Sequence, residues 1–379
     1  MKYNWLTALA ISFLLAVLLA KIPPLTAEPN VIRVPQDYLQ IQQAIDNADL
    51  GDTIQVAAGT YHEKLIITKT LRLIGEGPDK TVVAKTGTVV FVKAGNVEIR
   101  GFNIQNGTYG IVLSYSQNAL LRYNCMSGNK WNFAVWGDSI SHFVHDIDSS
   151  NTVDGKPMYF WINQHGKCVP DDAGYVALIN STDITAKDMN LTSNEQGILL
   201  VSTTHSIIEN VTISGNDEGM DIRLSHNNTI RKNRLLSINW RAIYLESSHN
   251  NTFYENTILN STYGLSLKRS NGNIFYHNNF IDNFKQGYTE TSQGIWHNEL
   301  HEGNYWSDYN GTDVDQDGIG ETSYTIYANN IDIYPLMNIY EQESPKADTP
   351  LWWIPAVGFG VGVIVIVIAA FWRHKSSRK

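Results

Sequence analysis

Residues 197–268 read GILLVSTTHSIIENVTISGNDEGMDIRLSHNNTIRKNRLLSINWRAIYLESSHNNTFYENTILNSTYGLSLK, and the stretch repeats. Gly197-Ile-Leu-Leu, Gly219-Met-Asp-Ile, Ala242-Ile-Tyr-Leu, Gly264-Leu-Ser-Leu and Gly287-Tyr-Thr open units spaced by 22, 23, 22 and 23 residues. A fixed period in this range marks a solenoid. Ile243 and Leu245 alternate with Tyr244 and Glu246, so the apolar segments are strands. They are short, polar turns separate them, and the Leu-x-x-Leu-x-Leu frame of a leucine-rich repeat is absent. A chain that regains register after each such unit is a right-handed parallel β-helix. Equivalent side chains then stack on rungs ~4.8 Å apart. Asn210, Asn233, Asn256, Asn278 and Asn298 are expected to form an amide ladder, with Met220, Ile222 and Leu224 facing inward.

Working outward, the β-helix is expected over 31–300 and a C-terminal cap over 301–340. Residues 129–180 break the period and are expected to hold rungs with a long lateral loop. Residues 38–48 place Leu39, Ile41, Ala44, Ile45 and Ala48 at helical spacing, as a helix capping the N-terminal end.

The two ends carry different signals. Residues 1–27 combine Lys2, the apolar run 6–20 and small residues near Ala27, as a secretory signal does. A retained N-terminal anchor is the alternative. Residues 351–372 form an uncharged run of 22, long enough for a bilayer of ~30 Å. Trp352, Trp353 and Trp372 flank it, and Arg373, Lys375, Arg378 and Lys379 follow in the tail 373–379. By the positive-inside rule this single transmembrane helix leaves the tail cytoplasmic and the β-helix extracellular or periplasmic. Residues 341–350 read as a stalk.

Only 17% of the 379 residues are charged, and the net charge of -9 argues against nucleic acid as a partner. Sequons stand at Asn106, Asn180, Asn190, Asn210, Asn227, Asn250, Asn260 and Asn310, candidates for glycosylation in an exported chain. Cys125 and Cys168 are either a disulfide or free thiols.

Val34-Pro35, Ile41-Gln42-Gln43-Ala44-Ile45, Gly51-Asp52-Thr53-Ile54, Gly59-Thr60-Tyr61 and Leu73-Ile74-Gly75-Glu76 resemble the opening of pectin-lyase-like β-helices. The downstream repeats resemble the NosD-like family. So do Asn151-Thr152-Val153-Asp154-Gly155-Lys156-Pro157, the block Asn304-Tyr305-Trp306-Ser307-Asp308-Tyr309 and Asp332-Ile333-Tyr334-Pro335-Leu336-Met337, the last two as in archaeal members. The resemblance covers about residues 31–338 and implies the fold. NosD proteins are classed as copper-associated factors of nitrous oxide reductase assembly, so copper is implied by resemblance alone.

Four constellations could carry chemistry. Asp313, Asp315, Asp317, the Ile319 carbonyl and Glu321 resemble the start of an EF-type calcium loop, although Tyr324 stands where the bidentate Glu belongs. A solvated acidic turn is the alternative. His205, His226 and His249, with Asn271, fall at similar spacing and offer imidazoles to copper or zinc, or else form a stacked ladder without metal. His297 and His301 do not fit a helical zinc motif. Finally, Asp221, Arg223, Tyr244, Glu246 and Lys268 are expected on the outer face of one sheet, as glycan contacts or as an ion-pair ladder.

Three functions are consistent with these features. The preferred one is an anchored surface protein that binds glycans, envelope polymers or proteins. A polysaccharide lyase, hydrolase or epimerase would need paired carboxylates beside aromatics. A copper-handling accessory protein would need a dedicated soft-ligand site.

Overall fold

A computed structural model describes residues 29–341. The expected signal over 1–27, the apolar segment 351–372 and the tail lie outside the described residues, as does the stalk beyond Glu341. Among the described residues, no helix is long and apolar enough to cross a membrane.

The chain forms an all-β, right-handed parallel solenoid of about 13 turns. Its strands stack with like over like, as the repeat predicts. Met220 pairs with Ile243 and then Leu265, and Ile222 with Leu245 and then Leu267. These six side chains are buried. The short helix Ile41–Asn47 turns Ile41, Ala44 and Ile45 into the core at the N-terminal end. It is shorter than expected, and Leu39 lies outside it, 79% exposed.

Two inner asparagine ladders run along the solenoid. In one, Asn233, Asn256, Asn278 and Asn304 each present Oδ1 to the backbone N–H of the preceding rung's residue, Val211 first. Their Nδ2 groups donate to a backbone carbonyl and to the next amide. The series ends on Asp332, whose Oδ2 accepts from Asn304 and from Trp306 Nε1. Asn210 and Asn298 are not members, contrary to the sequence-based expectation. Asn210 sits one residue early, exposed at φ 51°, and Asn298 is displaced by the turn before Asn304. Leu224 likewise occupies a left-handed corner at φ 50° rather than the interior.

Those corners explain the sequons. Asn106, Asn180, Asn210, Asn227, Asn250 and Asn260 all have left-handed φ. Asparagine tolerates that region better than most residues. In Asn210, Asn227 and Asn250 the following residue turns inward, and the Thr after it opens the next short strand.

The irregular stretch 129–180 proves to be a seam rather than a lateral loop. Thr152–Val153 pairs antiparallel with Lys156–Ile162 through Asp154 and Gly155, both at positive φ as a tight Asp-Gly hairpin requires. Beyond it the chain builds a second stack with its own core. Tyr175–Ile179 and Gln196–Val201 are buried on both sides. Val176, Leu178, Ile198 and Leu200 face the second core. Tyr175, Ala177, Ile179, Leu199 and Val201 cover the end of the first. From Glu218–Arg223 onward the outer face of this long sheet begins to meet solvent.

Candidate functional site

The exposed part of that face carries the outward rows. Asp221, Tyr244, Ser266 and Tyr288 stand in one register, and Arg223, Glu246, Lys268 and Glu290 in the next. Asp221 and Tyr244 are only 1% and 4% exposed. They are therefore not open contact points, as their strand parity suggested. The first stack closes over them, with Phe143 lying 5.9 Å from the Arg223 guanidinium. Arg223 Nε donates to both Asp221 oxygens at 2.9 Å, and its Nη1 to Glu246 at 2.8 Å. Lys268 and Arg269 hold the other Glu246 oxygen at 3.1 and 2.6 Å. Burial pushes the Glu246 carboxyl up, but the Lys268 hydrogen bond and the Arg223 charge bring it below its usual range. This row is a cross-strand ion-pair network.

Beside it lies an acid cluster that the sequence repeat did not single out. Glu218 N–H donates to the Glu195 carbonyl one rung back at 2.6 Å, and both side chains are buried, at 2% and 6% exposure. Arg241 clamps Glu218 Oε1, with Nε at 2.9 Å and Nη2 also bonded. Its guanidinium is sandwiched, 3.5 Å from the Tyr244 centroid and 3.8 Å from that of Trp240. Glu195 bonds Trp136, from the first stack. Oε2 of Glu195 and of Glu218 is buried without a hydrogen-bond partner, as is Trp131 Nε1. Burial, reinforced by neighbouring carboxylates, pushes Glu195 well above the ordinary carboxyl range. Burial and Asp221 raise Glu218 to about 7 against the pull of Arg241. The available signal was Asn194-Glu195-Gln196-Gly197 over Asn216-Asp217-Glu218-Gly219, acids in equivalent strand-start turns.

Next to this cluster, a groove of about 230 Å³ opens along three rungs. Trp240, Arg241, Tyr263, Lys268, Tyr288 and Glu290 line it. Tyr263 and Tyr288 meet edge to face at 6.4 Å, and Tyr327 of the C-terminal hairpin packs 4.7 Å from Tyr288. Aromatic faces interleaved with cations and a carboxylate can stack on sugar rings and pair with charged or hydroxyl substituents.

The metal candidates separate. His226 and His249 stack with centroids 5.2 Å apart. His205 is out of this row: His226 pairs with Thr204, which places His205 one residue further into the corner. Nδ1 of His226 accepts from His249 N–H and Nδ1 of His249 from Asn271 N–H, each at 3.0 Å. Asn271 Oδ1 continues the series to Gln293 N–H at 2.9 Å. Burial and the His249 charge lower the His226 pKa. The row is a backbone-bonding ladder with its Nδ1 atoms occupied.

The acidic loop does converge. Oxygens of Asp313, Asp315 and Asp317 lie within 4.8 Å of one another, unlike any other trio of acidic, His or Cys residues among those described. Gly318 N–H donates to Asp313 at 3.0 Å and Ile319 N–H to Asp317 at 2.8 Å. Glu321 folds back to accept from Val314 N–H, closing the loop from its far side. Cys125 and Cys168 are free thiols, not a disulfide. Cys125 pairs with Thr152 on the first stack and Cys168 with Thr185 on the second.

Residues 145–311 match the family model described as "Periplasmic copper-binding protein (NosD)". No curated protein matches the chain. Among solved structures, the A-module of Azotobacter vinelandii mannuronan C-5 epimerase AlgE6 is 16% identical. The match covers 70% of this chain and 80% of that one, with a TM-score of 0.35. A mannuronic acid specific polysaccharide family 6 lyase from human gut microbiota is 10% identical over 73% of this chain and 86% of its own, with a TM-score of 0.31. An alginate lyase from Paenibacillus sp. str. FPU-7 is 13% identical over 73% and 97%, with a TM-score of 0.28.

Proposed function

For a NosD-like, pectin-lyase-like parallel β-helix of this build, we propose a role as an anchored receptor on the outer side of the cell membrane, binding a glycan of the envelope. The observation that carries this reading is the groove of Trp240, Tyr263 and Tyr288 faces set between Arg241, Lys268 and Glu290. The signal over 1–27 and the apolar segment 351–372 support export and single-pass anchoring. The eight sequon asparagines are exposed and open to glycosylation where the host has the enzymes. Ca²⁺ at Asp313, Asp315 and Asp317 would order the cap beside Tyr327 rather than take part in binding.

The test is calorimetric titration of the full chain, in detergent, with a panel of neutral and uronate-containing oligosaccharides. Binding is expected that falls at least tenfold in Trp240→Ala and in Tyr288→Ala. No binding across the panel, or binding indifferent to both variants, refutes the groove. New reducing ends or unsaturated products would convert the receptor into a lyase or hydrolase. Copper handling is the second reading, favoured by the matched family's description. One tightly held copper per chain, lost on replacing His226 and His249, would establish it instead.

A further inference from the structure

We propose that the seam carries a peptide-docking site, in which an extended segment of a partner protein pairs with the open edge of the strand Asp146–Ile147. The first stack brings three columns of strands to the seam, ending at Trp131–Trp136, Asp146–Ile147 and Thr152–Val153. Two of them are closed there. Thr152–Val153 pairs with Lys156–Ile162. Along Trp131–Trp136, Asn132 N–H donates to the Ser193 carbonyl at 2.6 Å and Glu195 N–H to that of Phe133 at 3.0 Å. The Gln196 side-chain amide donates to the Val135 carbonyl at 2.8 Å. The third, Asp146–Ile147, is the last strand of its six and has no further strand beside it. A groove of about 400 Å³ lies between it and the strand Lys156–Ile162.

Successive residues of a strand aim their N–H and C=O groups to opposite sides. Asp146 uses both toward the preceding rung: its N–H donates to the Ala119 carbonyl at 2.8 Å, and its carbonyl accepts from Arg122 at 2.7 Å. Ile147 therefore presents its N–H and C=O on the open side. Such an edge is a template for another chain, and native folds close or cover it.

The lining selects a peptide over a sugar, because its polar side chains are already engaged. His145 accepts from Ala119 N–H at 3.2 Å and bonds the His142 carbonyl at 3.0 Å. Gln164 donates to the Ile162 carbonyl at 2.8 Å and accepts from Lys167 at 2.6 Å. Asn118 donates to Asn96 at 3.3 Å. What stays available is backbone, which a polypeptide matches at strand spacing. The floor calls for an apolar side chain: Ile147 and Phe160 are buried, and Val144, Trp161 and Ile162 remain partly exposed. The rim beside the strand is acidic. Asp146 and Asp148 share the one guanidinium of Arg122, at 2.6 and 3.1 Å, and are 70% and 48% exposed. The surplus negative charge calls for a Lys or Arg in the segment. In strand addition of this kind, main-chain hydrogen bonds give affinity and the side-chain pockets give specificity.

The experiment is selection of a random peptide library on the full chain in detergent, then calorimetric titration with the synthesised peptides that are enriched. They are expected to share an apolar residue beside a Lys or Arg. Binding should weaken at least tenfold in Trp161→Ala and in Ile147→Pro, which lacks the edge N–H. Backbone N-methylation of the bound peptide needs no protein variant. At alternate residues it should abolish binding, and at the residues between it should not. No shared sequence, binding indifferent to N-methylation, or displacement of the peptide by oligosaccharides overturns the proposal. Dimerisation of the chain alone, lost in Trp161→Ala, would overturn it in favour of a second copy.

Discussion

Replacing Arg241 with alanine should destabilise the protein more at pH 8 than at pH 5. The side chain does two separable things. It neutralises Glu218, which is only 2% exposed, and it fills the gap between Trp240 and Tyr244. Without Arg241 the Glu218 carboxyl keeps the proton that it otherwise loses near 7, so the penalty grows only above that pH, by at most about 1.4 kcal/mol per pH unit. The carboxyl titrates at about 7 with Arg241 present and higher without it, so at pH 5 the group is neutral. What remains there is the lost cation–π packing, about 1–2 kcal/mol. Equilibrium urea unfolding of the full chain at both pH values measures the difference. In the Glu218→Gln background, the Arg241→Ala penalty should no longer grow between pH 5 and pH 8. An Arg241→Ala penalty equal at both pH values, or one that still grows with pH in the Glu218→Gln background, would refute the electrostatic account.

Asn256→Ala should cost about 2–6 kcal/mol in the same assay, because it takes the side-chain partner from the Asn233 N–H and the Ile230 carbonyl. Asn210→Gly, at an exposed left-handed corner, should stay within about 0.5 kcal/mol. His249→Asn should be equally mild, since Asn271 already performs the same amide-accepting task one rung on, and a melt of that variant checks it. Calcium at a hundred times its dissociation constant should stabilise the wild type by about 2.7 kcal/mol, with the effect abolished in Asp317→Ala, read by thermal shift. Cys168 should react rapidly with a thiol reagent and Cys125 slowly, and reductant should leave the melting temperature unchanged.

The sequence announced its solenoid because a β-helix is built from local rules repeated at one period. A two-residue alternation defines each strand, asparagine marks the corners, and the spacing fixes which side chain stacks on which. The same rules misplaced residues by one position wherever a corner takes the left-handed conformation, as at His205, Asn210 and Leu224. Two adjacent asparagines, such as Asn227 and Asn228 or Asn250 and Asn251, have opposite fates, and spacing alone does not say which turns inward.

Sequence by itself therefore determined the architecture, the in-register ion pairs of Arg223, Glu246 and Lys268, and the converging acids at Asp313, Asp315 and Asp317. Tertiary structure alone decided the seam. The Asp154-Gly155 hairpin shifts the second stack so that one face of Tyr175–Ile179 and Gln196–Val201 covers the first core. That contact is between distant segments with no shared period. It buries Asp221 and Tyr244, which parity placed outside, and gathers Glu195, Glu218 and Arg241 against Trp136. Periodicity specifies neighbours one rung apart, whereas burial and proton affinity depend on everything that packs above the rung.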